Sequence, residues 1–135
     1  MNEKNTKKIF NDFPEFFKHK DNLQASLMAF GIETDDGWFG LVYNLCKDIQ
    51  EYFTKTDKRH KIPEEFYVTQ IKEKFGGLRF YITYAPKEVH DMIHKAEDDS
   101  LTICEKCGKS GILRNDFHWW LTLCEQHYKE RLIKK

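Results

Sequence analysis

Two short pairs of metal-ligating residues near the C-terminus constrain this chain more than any other feature of its sequence. Cys104 and Cys107 are separated by two residues, and so are Cys124 and His127. Pairs at this spacing can supply four ligands to a tetrahedral zinc ion, and three thiolates with one imidazole form a closed set without an open position. The sequence therefore predicts a structural zinc site.

The residues around the two pairs predict how the zinc-binding segment folds. Gly108 directly follows the first pair, residues 111–123 can form a hairpin that turns at residues 115–116, and a helix is expected over 125–133. This order of knuckle, hairpin and helix resembles the treble-clef zinc finger.

Three rings lie at the end of this hairpin. His118 is a more distant candidate ligand than His127. Trp119 and Trp120 are adjacent on the presumed second strand, so they should point to opposite faces. One of the two should pack the zinc module against the main body, and the other should be exposed.

The main body is expected to be α+β, with N-terminal helices packed on a β-hairpin. A chain of 135 residues, 40% of them hydrophobic and 15% aromatic, is long enough for one folded domain with a small metal-binding addition. Low-complexity and disordered classes are excluded. We predict a core over residues 1–100 and a zinc-binding module over 101–135, packed as one unit.

Four helices are expected before the zinc-binding segment. A short one runs from a cap at Asp12 through Phe17, a second spans Leu23–Phe30, and a fourth runs from Pro86 to Ser100. The third is the clearest, because its apolar residues fall on one stripe. These residues are Trp38, Leu41, Val42, Leu45, Ile49 and Phe53.

Strand-forming residues predict a hairpin between the third and fourth helices. Segments 66–71 and 78–84 flank a Gly76-Gly77 turn, which would place Phe75 opposite Leu78 and Ile71 opposite Ile82. One face is then apolar, with Ile71, Phe75, Leu78, Phe80, Ile82 and Tyr84. The other face is basic with one aromatic ring, and carries Gln70, Lys72, Lys74, Arg79, Tyr81 and Thr83.

This hairpin contains the candidate ligand-binding residues. It combines cations, a glycine turn with free amides, and rings, which can grip a phosphate and stack a base, although any exposed hairpin displays similar groups. Glu73 lies on the apolar face, where it should either pair with a cation or contact a ligand. The candidates are Lys72, Glu73, Lys74, Gly76, Gly77, Arg79 and Tyr81.

Other reactive residues have ordinary explanations. Cys46 lies near the apolar stripe of the third helix and is expected to be a small core residue, with a reactive thiol as the alternative. His90 and His94 are four apart on a helix and could share a metal, but solvated helix faces often carry this spacing.

The charge distribution restricts where an anion can bind. The 22 basic and 22 acidic residues cancel, but basic residues are in excess over 54–84 and 100–135. No apolar run is long enough to span a bilayer, and the polar segment 1–8 does not resemble an export signal. We expect a cytosolic protein, in which disulfides are disfavoured.

Four segments together resemble a family of small proteins encoded by tailed phages and prophages. They are LQASLMAFGIE from Leu23, DGW from Asp36, KEKFGGLRFY from Lys72, and the ICEKCG and TLCEQH strings of the zinc pairs. The resemblance runs from about Pro14 to His127. It implies a zinc site and a phage origin but no activity, and Thr34-Asp35 stand where the family often has Cys-Gly.

Phage origin implies a small accessory protein in the bacterial cytoplasm that alters a host process, including host defence, by binding. The leading hypothesis is a non-enzymatic, zinc-stabilised protein that binds a host macromolecule or a signalling nucleotide through residues 72–81. The alternative is a nucleic-acid-binding zinc-finger module that uses the basic C-terminus, Lys129, Arg131, Lys134 and Lys135. A nuclease of the HNH type needs a catalytic His and Asn constellation beside its metal. This class is disfavoured, because His118 is the only such candidate nearby.

Overall fold

The computed structural model describes residues 1–134 and shows an α+β protein. It contains four α-helices and two separate two-stranded antiparallel sheets in the described part of the chain. The elements are α1 (Glu3–Asp12), α2 (Phe39–Thr56), β1 (Val68–Lys74), β2 (Gly77–Ile82), α3 (Lys87–Ser100), β3 (Ile112–Arg114), β4 (Leu121–Leu123) and α4 (Glu125–Lys134). None of these helices combines the length and hydropathy needed to cross a membrane.

The first helix lies earlier in the chain than the sequence predicts. Helix α1 ends at Asp12, where a helix was expected to begin, and its cap is Asn2, whose side chain accepts a hydrogen bond from the Asn5 backbone. The Asp12 carboxylate instead accepts a hydrogen bond from the Tyr43 hydroxyl at 2.6 Å. The Asp12 side chain therefore holds α1 against α2 instead of capping a helix.

The segment predicted as a helix over Leu23–Phe30 is also different. Only a 3₁₀ turn forms, over Met28–Phe30, and it ends at Gly31 with a φ of +78°. The Leu27 amide donates to the carbonyl of Thr69 at 2.7 Å rather than to a helical neighbour. A tertiary hydrogen bond to the hairpin therefore replaces the local helix.

The predictions for α2 and α3 are confirmed, with α2 beginning after a 3₁₀ turn over Asp36–Trp38. The two helices pack on each other and α3 packs on β2. Their buried residues join the hairpin and the phenylalanines before Asp21 in one large core. The α2 residues Val42, Leu45, Cys46, Ile49 and Phe53 are buried, as are Val89, Ile93 and Ala96 of α3.

The first hairpin forms, but its turn is one residue earlier than predicted. Lys74 pairs with Gly77, so the two loop residues are Phe75 and Gly76, and Ile71 pairs with Phe80 rather than with Ile82. The predicted assignment of side chains to the two faces still holds for the paired residues. The register differs from the predicted one by two residues, and side chains alternate between the faces with a period of two. Phe75 is wrongly predicted for the apolar face, and so is Tyr84, which follows the strand and is exposed.

Both edges of this hairpin are covered. On the β1 side, Glu33 forms a parallel bridge with Lys72. On the β2 side, the Ser100 hydroxyl accepts from the Leu78 amide and the Glu97 carboxylate accepts from the Phe80 amide. The outer face and the turn are therefore the parts of the hairpin left for a ligand.

A second, smaller buried cluster lies in the C-terminal segment around Cys104, Leu123 and Cys124. This segment follows the predicted order: a knuckle, the β3–β4 hairpin and α4. The division of the chain at residues 100 and 101 stays a prediction.

Candidate metal centre and binding groove

Four side chains of the C-terminal segment converge on one point. The ligand atoms of Cys104, Cys107, Cys124 and His127 all lie within 4.8 Å of one another. The Sγ atoms of Cys107 and Cys124 are 3.7 Å apart, and Cys104 Sγ lies 3.6 Å from His127 Nδ1. A tetrahedral zinc site has edges of about 3.8 Å between two sulfurs and about 3.6 Å between sulfur and nitrogen. The four residues predicted from the sequence could therefore hold a metal ion.

Backbone amides around the cluster favour the thiolate forms that bind metals. The His127 N–H points at Cys124 Sγ at 3.5 Å, and this hydrogen bond lowers the pKa of the Cys124 thiol to about 6. The Lys109 N–H donates to the Cys107 sulfur, but desolvation outweighs this hydrogen bond and raises the pKa of the Cys107 thiol. Gly108 makes the tight turn between them, with a φ of +83°. The backbone therefore supplies hydrogen-bond donors to two of the cysteine sulfurs, and the thiolate form is favoured at Cys124.

The loop before α2 lies directly on the metal-binding knuckle. The Gly37 amide donates to the Glu105 carbonyl at 2.7 Å, and the indole N–H of the buried Trp38 donates to the Ile103 carbonyl at 2.8 Å. A Cβ atom at position 37 would collide with the carbonyl oxygens of Cys104 and Glu105. This loop leads into α2 and also joins the main body to the metal cluster.

Glu105 lies inside the knuckle, between the ligands Cys104 and Cys107. Its buried carboxylate accepts a hydrogen bond from the Asp35 amide at 3.0 Å, and its own amide donates to the Thr122 carbonyl. Burial raises the pKa of Glu105 to about 7, although the Asp35 amide opposes this rise. The side chain and backbone of Glu105 together link the knuckle to the loop before α2 and to β4.

The turn of the first hairpin packs against the second hairpin. The Thr122 hydroxyl donates to the Gly76 carbonyl at 2.6 Å. Gly76 has a φ of +80°, and a Cβ there would collide with the Leu113 side chain. Glu73 accepts from the Gly76 amide at 2.7 Å, so its carboxylate braces the turn, and within residues 1–134 it forms no ion pair.

A groove of about 580 Å³ lies between the two hairpins. Trp119 and Trp120 both line it and are 58% and 46% exposed. The prediction that they lie on a strand and point to opposite faces is wrong, because β4 begins only at Leu121 and both rings belong to the preceding loop. The turn residue Phe75 closes the other side, with its ring centroid 6.3 Å from that of Trp120.

Phe75 occupies an unfavourable position. Its φ is +55°, in the left-handed region that bulky residues rarely adopt, and its side chain is 64% exposed. Two-residue turns of this kind prefer Asn or Gly at both central positions. The chain thus accepts backbone strain and an exposed ring at the mouth of the groove, a combination typical of functional sites.

Three cations lie beside the groove without acidic partners. Lys72 is directly opposite Arg79 across the two strands, an arrangement of like charges that destabilises a sheet. The Lys74 ammonium lies 5.6 Å from the Phe75 ring centroid. Within residues 1–134, none of the three forms an ion pair, whereas Lys106 and Arg114 do. Arg79 also lines the groove itself.

The remaining predicted ligand residues divide between two places. Gly77 lines the groove, whereas Tyr81 pairs with Gln70 at the far end of the outer face and lines a separate depression. Of the seven candidates, Arg79 and Gly77 reach the groove, and Gly76 and Glu73 form its supporting turn. The rings of the second hairpin were missed as part of the same site, because their proximity depends on how the hairpins pack.

Other candidate residues lie outside this site. Cys46 is fully buried and burial raises the pKa of its thiol, which fits a core residue. His90 and His94 are exposed, with ring centroids 6.5 Å apart. His118 is not in the metal cluster but lines the groove.

Two of the basic C-terminal residues contact their own module. Lys129 pairs with Glu125, and the Arg131 guanidinium lies 5.8 Å from the Phe117 ring centroid. Lys134 lines a smaller pocket near His127. Lys135 lies outside the described residues.

No family model, curated protein or solved structure matches this chain. The resemblance to phage-encoded proteins therefore stays a prediction. The functional proposals depend on the geometry of the metal cluster and the groove.

Proposed function

We propose that this chain is a non-enzymatic binding protein that takes an aromatic, anionic ligand in the groove between its two hairpins. The observation that carries the proposal is the groove itself, where Phe75, Trp119 and Trp120 present exposed rings beside Arg79. The Arg79 guanidinium donates to the Leu78 carbonyl and forms no ion pair within residues 1–134. A volume of about 580 Å³ lies in the usual range for ligand sites. Rings bind flat apolar surfaces, and the guanidinium binds an anionic group.

We further propose that the metal is zinc and that its role is structural. Three cysteines and one histidine are typical zinc ligands, and a set of four completes the tetrahedron. The knuckle, hairpin and α4 would then form a treble-clef-like module. Zinc would be held by Cys104, Cys107, Cys124 and His127, and it would supply folding energy rather than reaction chemistry.

The metal would support binding through the second hairpin. Strands β3 and β4 lie between the two ligand pairs, and the loop that joins these strands carries both groove tryptophans. Strand β4 ends at Leu123, directly before Cys124. Losing the ion would therefore release the loop that forms one wall of the groove.

The predicted phage origin leads to the biological part of the proposal. In a bacterial cytoplasm, such a protein would alter a host process, host defence included, by binding a host macromolecule or a signalling nucleotide. The alternative, a zinc-finger module that binds nucleic acid through α4, is weakened by the engagement of Lys129 and Arg131 within the module.

The groove can be tested with anilinonaphthalene sulfonate, a fluorescent probe that combines aromatic rings with one anionic group. We expect saturable binding of one probe per folded, metal-loaded chain. Binding should weaken in Trp120→Ala and Arg79→Gln but not in Tyr84→Ala, which removes an exposed ring outside the groove. Equal binding by wild type and Trp120→Ala would overturn the proposed site.

A further inference from the structure

The groove presents three rings from two distant parts of the chain. Phe75 comes from the first hairpin, and Trp119 and Trp120 come from the loop of the second. Stacking on such rings is available to every nucleobase, because each base has a flat π-face. The groove therefore has the surface needed to accept an unpaired base.

The charge of the groove fits a nucleic-acid strand. Among its lining residues in the described part of the chain, Arg79 is a cation and none is acidic. The basic residues beside the groove belong to the first hairpin, whereas the second hairpin, residues 112–123, carries Arg114 and Asp116, whose charges cancel. The groove therefore has its cationic side at the first hairpin.

The cations continue beyond the groove along the outer face of the first hairpin. Arg79 lines the groove, but its cross-strand neighbour Lys72 and nearby Lys74 do not. A mononucleotide confined to the groove would leave Lys72 opposite Arg79 without an anion between them. A strand with successive phosphates would reach all three cations and relieve their repulsion.

We propose that this surface binds single-stranded nucleic acid, with one unpaired base stacked in the groove and the adjoining phosphates on Lys72, Lys74 and Arg79. The inference rests on the proposed function and narrows its ligand to a strand. Duplexes should bind more weakly, because their bases are stacked on each other and must be unstacked before they can enter.

The test is fluorescence anisotropy with a labelled oligothymidylate of about 12 nucleotides, its blunt duplex with oligoadenylate, and thymidine monophosphate as a competitor. We expect the single strand to bind and Trp120→Ala to weaken it about 10-fold. Three phosphate contacts predict that the logarithm of affinity falls with the logarithm of salt concentration with a slope of about −2, which Arg79→Gln should reduce by about 0.7. Lys87→Gln, which removes an exposed cation of α3, should change neither value.

Several results would overturn the inference. Equal affinity for the duplex, or no effect of Trp120→Ala, would contradict the stacking of an unpaired base in the groove. Competition by the monophosphate at the oligonucleotide's own affinity would assign the groove to free nucleotides. If the sulfonate probe binds as proposed but the oligonucleotide does not, the single-strand inference fails while the proposed groove stands; if neither binds, both fail.

Discussion

The ring of Phe75 lies 6.3 Å from the ring of Trp120, so the turn of the first hairpin meets the loop of the second. This relationship makes one groove from two sheets that share no hydrogen-bonded strand. It also makes the groove depend on two separate supports, the brace at Gly76 and the metal cluster behind β4.

Replacing Phe75 by Asn should stabilise the protein and weaken the groove. Asn tolerates a positive φ better than Phe, so the free energy of unfolding should rise by about 1 kcal/mol. Loss of the ring should weaken binding of the sulfonate probe about five-fold. Urea denaturation and probe titration measure the two effects.

Phe75→Leu is the matched control, because leucine keeps the backbone strain and removes only the aromatic ring. It should bind the probe as weakly as Phe75→Asn without the gain in stability. A Phe75→Asn variant that is less stable than the wild type would show that the phenyl ring has a structural role.

A methyl group at Gly37 should separate the main body from the metal cluster. The added Cβ of Gly37→Ala would collide with backbone oxygens of Cys104 and Glu105, and the free energy of unfolding should fall by about 1–3 kcal/mol. Gly40→Ala, in the first turn of α2, meets no atom within 4 Å and should stabilise by about 0.5–1 kcal/mol. Equal effects of the two variants in thermal unfolding would contradict the close approach.

Cys107→Ser should abolish stoichiometric metal binding. The remaining three ligands leave the tetrahedron incomplete, and the small cluster around Leu123 is too limited to hold the segment folded. Metal analysis should show no bound zinc, and limited proteolysis should cut within residues 101–134. Cys46→Ala removes a buried thiol elsewhere and should keep one zinc per chain; normal zinc content in Cys107→Ser would refute the site.

Thr122→Val should loosen the contact between the hairpins. The variant removes the donor to the Gly76 carbonyl and should cost about 1 kcal/mol of stability while metal content is unchanged. Thr102→Val removes an exposed hydroxyl with a local backbone partner and should cost less. Comparable losses in urea denaturation would mean that the Gly76 contact does not brace the turn.

The predictable parts of this fold are those whose signals are local. The apolar stripe of α2 and the spacing of the two ligand pairs each lie within one short segment, and both lead to the observed elements. Segment Leu23–Phe30 has a similar stripe, yet its Leu27 amide bonds to Thr69 across the fold. Tertiary hydrogen bonding overrides a helical pattern there, and no local rule reveals it.

The sequence predicts only part of the candidate site, because the rest depends on contacts between distant segments. Arg79 and Gly77 could be selected because cations, glycines and rings cluster on one hairpin. The sequence predicts a strand at Trp119 and Trp120, but their loop is longer than a tight turn and directs both rings to the groove. The pairing of this loop with Phe75 depends on packing between distant segments.

Fluorine NMR on fluorotryptophan-labelled protein tests the central claim most directly, because the chain has three tryptophans and only Trp38 is buried. With one zinc bound, the sulfonate probe should shift the signals of Trp119 and Trp120 saturably and leave that of Trp38 in place. Chelating the metal should remove both probe-induced shifts. Unchanged Trp119 and Trp120 signals on addition of the probe, or the same shifts after the metal is removed, would contradict a metal-supported binding groove.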